Sequence, residues 1–345
     1  MRRNHWLIPF VGATALLVTS VGPAVAQVEE EPLDLQARVE ERVGLQNGGI
    51  VVVTIRDDEV TTAAAGIAND AGDPLTVDTP MILHSPASSL TQVIALSLVD
   101  TGLLDLDALV TDYLPDAPVG DGATGRDLLE YRAGTQNIWD VLYDEADDVD
   151  QLVVDPDRTW TGDDLVALLD PSAAGVAGEP SSSYSDTLLI IQIIEAVSGQ
   201  DFSAALDEYI VQPLGLAGTV HAAGDVEPPD GRAAGWSDWA SDTPVYVTDD
   251  WEAARTFRPT YSTAADLAVF LQALLEGRLV SPELLDETMW DPDVEEFAYG
   301  LVRSNDELFP AAGPLGADYF GDYGWTPFGS FAYYAVDPAT GDLVV

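Results

Sequence analysis

The sequence predicts an α+β fold: an antiparallel sheet built from strands near both ends of the chain, flanked by helices, with a helical region inserted between the two strand sets. Three observations carry this. Residues 50–55 and 60–65 read as strands joined by a tight turn through Arg56, Asp57, Asp58 and Glu59, since β-rich runs bounded by turn residues make hairpins. Residues 298–303, 328–336 and 343–345 read as late strands, the last two joined by a turn over 337–341. Between these sets the apolar positions recur at helical spacing, and strands segregated from helices favour a sheet covered by helices.

From the N-terminus, Met-Arg-Arg precedes an apolar run from Trp6 to Val21 and the small-residue ending Ala24-Val25-Ala26. This predicts a signal peptide over 1–26, cleaved before Gln27, and a secreted or extracytoplasmic domain over 27–345. The run is too short, and too soon followed by a processing site, for a stable membrane span. Residues 33–44 read as a helix with Leu33, Leu35, Val39 and Val43 near one face and Gly44 as its stop.

The stretch 81–102, MILHSPASSLTQVIALSLVDTG, is the centre of the chain. Pro86 suits a first helical turn, where its missing N–H has no partner to lose. The almost continuously apolar residues 90–99 predict a buried helix, and Gly102 ends it. Ser85, at the start, reads locally either as the cap of the first free amides or as a nucleophile at the positive end of the helix dipole. The local pattern favours the cap.

Short helices follow near 125–131 and 161–169, with the acidic run 143–150 between them as a solvated loop. None of the acidic clusters has calcium-loop spacing. Asp186 is placed to cap a buried helix over 187–198 that Gly199 stops, and 202–211 is helical. Residues 222–257 form an irregular surface excursion, and further helices begin at Ser262 and Ser281.

Composition narrows the function classes. There are 60 acids against 13 bases, for a net charge of −47, and every base is arginine. Such a surface repels nucleic acid and anionic membranes and suits a salt-rich, halophilic setting in which counterions screen self-repulsion. Absence of cysteine excludes disulfides and thiol chemistry, and three histidines, one of them in the signal, make a histidine metal centre unexpected. No cofactor or metal is expected, and oligomeric state is not legible.

The ordered segments LVDTGLLDLDALV, GRDLLEYRAG, YSDTLLIIQIIEAVSG with QPLGLAGT, STAADLAVFLQALL and DYGWTPFGSFAYYAVDPATG resemble the serine β-lactamase and penicillin-binding-protein family. Within it they resemble the branch of class C β-lactamases, D-alanyl-D-alanine carboxypeptidases and esterases, and the likeness covers about Val39 to Val345. The family acts through Ser-x-x-Lys, Tyr-x-Asn and a Lys/His-Thr/Ser-Gly strand. The resemblance puts the nucleophile on Ser85 and the lysine on Ser88, the second motif on Tyr184-Ser185-Asp186, and the third on Asp322-Tyr323-Gly324. Ser85 and Tyr184 are retained; Ser88, Asp186 and Asp322 are altered, and Tyr323 and Gly324 lie on the binding strand.

A serine hydroxyl needs a base within hydrogen-bond reach to attack a carbonyl. With no lysine in the chain, the remaining family partner is Tyr184, whose phenol ordinarily titrates near about 10, and Asp186 and Asp322 would disfavour its ionisation. Asp322 would also repel a penicillin-type carboxylate. His84 reads as a packed or surface residue pointing away from Ser85, His221 reaches the site only if its loop folds over the mouth, and Arg132 reads as a surface ion-pair partner. The resemblance further implies a connecting strand and terminal helix that this sequence lacks, so that either it is a fragment or its sheet has open edges. The leading expectation is a secreted serine hydrolase homologue with impaired catalysis. An active acyl-serine esterase or D-amino-acid peptidase is the alternative. A third reading is a binding protein whose acidic, water-filled cleft takes a neutral or cationic small molecule or peptide.

Overall fold

A computed structural model describes residues 34–345 except 45–47, 58, 146–160, 182, 224–225, 234–235, 238–244, 247–259, 292–296, 305–318 and 326–330. The predicted signal segment, most of the acidic run 143–150 and much of 222–257 lie outside the described residues.

Among the described residues the main sheet has seven antiparallel strands, in the spatial order Glu59–Gly66, Gly49–Arg56, Leu343–Val344, Phe331–Val336, Tyr319–Trp325, Leu301–Ser304 and Phe297–Ala298. Helix α1 (Leu35–Val43) packs on the hairpin of β1 (Gly49–Arg56) and β2 (Glu59–Gly66). That hairpin pairs without a slip from Gly49↔Gly66 to Arg56↔Glu59, as the sequence predicts. The late strands are β8 (Phe297–Ala298), β9 (Leu301–Ser304), β10 (Tyr319–Trp325), β11 (Phe331–Val336) and β12 (Leu343–Val344).

Two sequence expectations are corrected here. The connecting strand is present, because β12 itself pairs with β1 (Thr54↔Val344) and with β11 (Ala335↔Val344). Val53 and Val345 exchange both backbone bonds, at 3.0 and 2.8 Å. The turn explains it: Gly341 takes φ +81° and donates to the Asp337 carbonyl, folding the chain back so that Leu343 reaches β1. The run 298–303 is two strands, because Tyr299 (φ 51°) and Gly300 (φ 72°) are both left-handed and close a two-residue hairpin between Ala298 and Leu301.

Helix α2 (Ala87–Asp100) is the axis of the core: Val93, Ile94, Ala95, Leu96 and Leu98 have no exposure at all. Each such large side chain contributes about 1.5–3 kcal/mol by leaving water. Helices α7 (Ser183–Ser198) and α8 (Phe202–Leu206) pack on α2; α3 (Val110–Tyr113), α4 (Gly125–Leu129) and α6 (Gly162–Val166) pack on α7, and α5 (Ile138–Glu145) and α9 (Gln212–Leu214) complete the helical region. Helix α10 (Ala264–Leu275) covers β1 and β12, and α11 (Pro282–Asp286) follows it. A small second sheet, β3 (Met81–Ile82), β7 (Thr260–Ser262) and β4 (Val220–His221), leads directly into α2, and β5 (Trp236–Ser237) pairs with β6 (Val245–Tyr246) as a separate two-stranded ribbon. Among the described residues no single helix is long and apolar enough to cross a membrane; α7 with the segment 202–214 passes only as a pair bent by 81°.

Candidate active site

The strand-to-helix junction places Ser85. Leu83 extends the β3 pairing by donating to the Thr260 carbonyl at 2.9 Å, and His84 then turns the chain through φ 56°. The amides of Ala87, Ser88 and Ser89 donate to the carbonyls of His84, Ser85 and Pro86, with Ser88 N to Ser85 O at 2.7 Å. This corrects the reading of Ser85 as a cap. Pro86 holds the cap position and α2 begins with no side-chain cap bond, because proline offers no amide and the next three are taken by backbone carbonyls. Ser85 is exposed, and its hydroxyl makes no hydrogen bond to any described residue.

Ser88 and Asp186 are buried and Tyr184 is part-buried. Ser88 is 5 % exposed, one turn along α2 from Ser85. Tyr184 lies in the first turn of α7 and packs against Trp139, with ring centroids 5.5 Å apart, beside Ile138, Leu165, Leu169 and Leu188. Asp186 has no exposure and does not cap α7, which already begins at Ser183. Its carboxylate accepts from Thr135 Oγ1 at 2.6 Å and Ser181 Oγ at 2.7 Å. Burial pushes it up to about 7 against those two bonds and one from the Ala133 amide, and Asp127 pushes it further the same way. Ser88 and Asp186 therefore do not line the open, water-filled cleft expected from their polarity. On β10, Asp322 pairs in register with Tyr334, Tyr323 with Tyr333 and Gly324 with Ala332.

The histidines are accounted for separately. His84 is half-buried, and loss of solvation lowers it to about 4, so it is neutral at physiological pH. His221 is buried in β4, with Nδ1 2.8 Å from Thr260 Oγ1 and its ring edge-on to Phe202 at 4.9 Å. It belongs to the small sheet and does not fold over the mouth. Arg132 donates to the Gly178 carbonyl in the segment packed beside it, rather than standing as a surface ion-pair partner alone. Among the described residues no group of three His, Asp or Glu is placed to hold a metal ion.

Several residues that organise the site carry no sequence motif. Thr135 and Ser181 hold Asp186, and Gln92 Nε2 reaches Tyr131 Oη at 3.3 Å, tying the second turn of α2 to the loop after α4. Ser89 Oγ donates to the Gly300 carbonyl at 2.9 Å and also meets the Tyr334 hydroxyl. A glycine interrupting a strand pattern is the available signal for the last contact, since it marks a close backbone approach.

A buried helix opening on an exposed serine, laid against an antiparallel sheet drawn from both ends of the chain, defines the fold of the serine β-lactamases and penicillin-binding proteins. The sequence matches the family described as Beta-lactamase over residues 35–344, and the chain belongs to that family. It is 29 % identical to the esterase EstB of Burkholderia gladioli over 181 residues, 49 % of this chain and 45 % of that protein. It is 28 % identical to penicillin-binding protein 4 of Amycolatopsis lactamdurans over 175 residues, 49 % of this chain and 43 % of that one. The matched stretch thus spans less than half the length of these curated relatives. In fold it is similar to a penicillin-binding protein from Bacillus halodurans, with a TM-score of 0.71 at 20 % identity over 90 % of this chain and 93 % of that one. A D-amino acid amidase from Ochrobactrum anthropi SV3 superposes with a TM-score of 0.70 at 21 % identity over 90 % and 88 %.

Proposed function

We propose that this chain is a secreted β-lactamase-fold serine hydrolase homologue in which Ser85 keeps the nucleophile's place and has lost its base. The observation that carries the reading is the pair Ser85 and Ser88. The first is exposed with no hydrogen-bond partner for its hydroxyl among the described residues, and the second puts an enclosed hydroxyl where the family has its lysine. A serine with no base in reach attacks carbonyls slowly, because losing an activated nucleophile's base costs orders of magnitude in rate. Tyr184 supports the same reading, since its ring is engaged by Trp139 and the apolar cluster around Leu188. The net charge of −47 favours a neutral or cationic small molecule or peptide as ligand.

The test is active-site labelling. The mature protein and Ser85→Ala are incubated with a fluorophosphonate and with a fluorescent penicillin in high salt, and intact mass is read alongside circular dichroism. A folded protein with no adduct is the expected outcome. A serine adduct that disappears in Ser85→Ala would establish the active acyl-serine enzyme instead.

A further inference from the structure

The first turn of α2 is held from behind by a corner of the late sheet. Gly300 lies against the peptide joining Ser88 to Ser89 so closely that a Cβ on it would stand 2.8 Å from Ser89 N, 2.9 Å from Ser88 C and 3.0 Å from Ser89 Cα. These are backbone atoms, which cannot rotate aside as a side chain would. The same turn holds Ser85, because the Ser88 amide donates to the Ser85 carbonyl at 2.7 Å. Ser89 Oγ closes the contact on the Gly300 carbonyl, and the buried Tyr334 hydroxyl from β11 meets both groups.

The corner is itself fastened. Tyr299, left-handed and 1 % exposed, donates its amide to the Leu129 carbonyl at 2.8 Å. Its hydroxyl donates to Glu130 at 3.1 Å and accepts from Arg126 at 3.4 Å. Two consecutive left-handed residues, one of them a tyrosine, are sustained only where the surroundings over-determine them. Here the surroundings are α4 on one side and α2 on the other.

We propose that Gly300, Ser89 and Tyr334 are positioning residues that set where the Ser85 side chain sits at the α2 N-terminus. This deepens the reading of Ser85 as the nucleophile's place and rests on it. They act through the backbone: the clamp fixes residues 88 and 89, the Ser88 amide fixes the Ser85 carbonyl, and the side chain at position 85 is thereby held in the field of the helix N-terminus.

The chain contains no cysteine, so Ser85→Cys installs a single thiol whose titration reports that field whether or not Ser85 is reactive. Alkylation by iodoacetamide is followed from pH 5 to 10 by intact mass. The midpoint of the introduced thiol is expected below the ordinary value of about 8.5, as at other helix N-termini. Adding Gly300→Ala is expected to raise the midpoint and slow alkylation at pH 7.5 by about threefold or more, with Ser89→Ala and Tyr334→Phe moving the same way by less. Val280→Ala, a core change at a residue 1 % exposed, is the control: it lowers Tm without moving the midpoint. Clamp variants that lower Tm as Val280→Ala does, yet leave the thiol midpoint in place, overturn the proposal. If Gly300→Ala fails to fold, Ser89→Ala and Tyr334→Phe decide by the same criterion. A native Ser85 that does label with fluorophosphonate overturns the lost-base reading alone.

Discussion

Thr135 Oγ1 lies 2.6 Å from Asp186 Oδ1, and this bond, with that of Ser181 at 2.7 Å, closes a carboxyl group inside the protein. The native state holds the proton of Asp186 up to about pH 7, whereas the unfolded chain releases it near the ordinary 3.8. A raised acid contributes stability that is fully present below the unfolded value and is lost as pH rises through the folded one. The loss amounts to roughly 3–5 kcal/mol between pH 4 and pH 8. Asp186→Asn removes this titration while its Oδ1 still accepts from the Ala133 amide. The stability difference between variant and parent, from urea melts at pH 5, 6, 7 and 8, is expected to shift steadily in the variant's favour. A difference independent of pH would show that Asp186 does not hold its proton in the folded protein.

Ser88 sets the second expectation. It follows Ser85 by one turn on the same helix and is enclosed by the core. If the missing base limits Ser85, Ser88→Lys should raise the rate of fluorophosphonate labelling by about 10²-fold or more, the usual worth of a positioned base. The gain should vanish in Ser85→Ala/Ser88→Lys. An unchanged rate in a folded Ser88→Lys protein would place the defect elsewhere, with Tyr184 turned onto Trp139 the next position to alter.

The early hairpin, the α2 core and the Gly102 stop are legible in the sequence because each rests on a local pattern, a strand run, an apolar helix or a glycine with φ 74°. The local signal for Ser85 as a cap misleads because it ignores competition. Pro86 has no amide to give, and backbone carbonyls of residues 84–86 take the three that follow. Asp186 looks like a cap in sequence because the partners that claim it, Thr135 and Ser181, lie 51 and 5 residues away and only tertiary folding brings them in. The division of 298–303 into two strands depends on Tyr299 accepting a left-handed backbone, which no propensity predicts and which its bonds to Leu129 and Glu130 maintain.

Leu343 carries the third expectation. It is 1 % exposed in the strand that ties β1 to β11, with α10 packed over it. Leu343→Ala should cost about 2–4 kcal/mol through lost burial and the cavity it leaves. Val344→Pro should cost at least as much, since proline removes a ladder donor between two strands. Urea denaturation measures both, and a loss below about 1 kcal/mol for either would mean that β12 is not a structural link.

Charge sets the last expectation. The net charge of −47 opposes compaction, and the described ion pairs, Arg56–Asp342, Arg126–Asp107 and Arg278–Glu276, are at least partly exposed and offset little of it. Screening should therefore stabilise the fold. The Debye length falls from about 30 Å at 0.01 M salt to about 3 Å at 1 M, shorter than most separations between surface acids. Tm is expected to climb between these concentrations in sodium chloride, with most of the rise below about 0.5 M, where screening changes fastest. Potassium chloride should act alike, because the effect is that of ionic strength and needs no specific cation site. A Tm flat across the series would show that self-repulsion is not what limits stability. A rise confined to one cation would point to specific ion binding by the acidic surface instead.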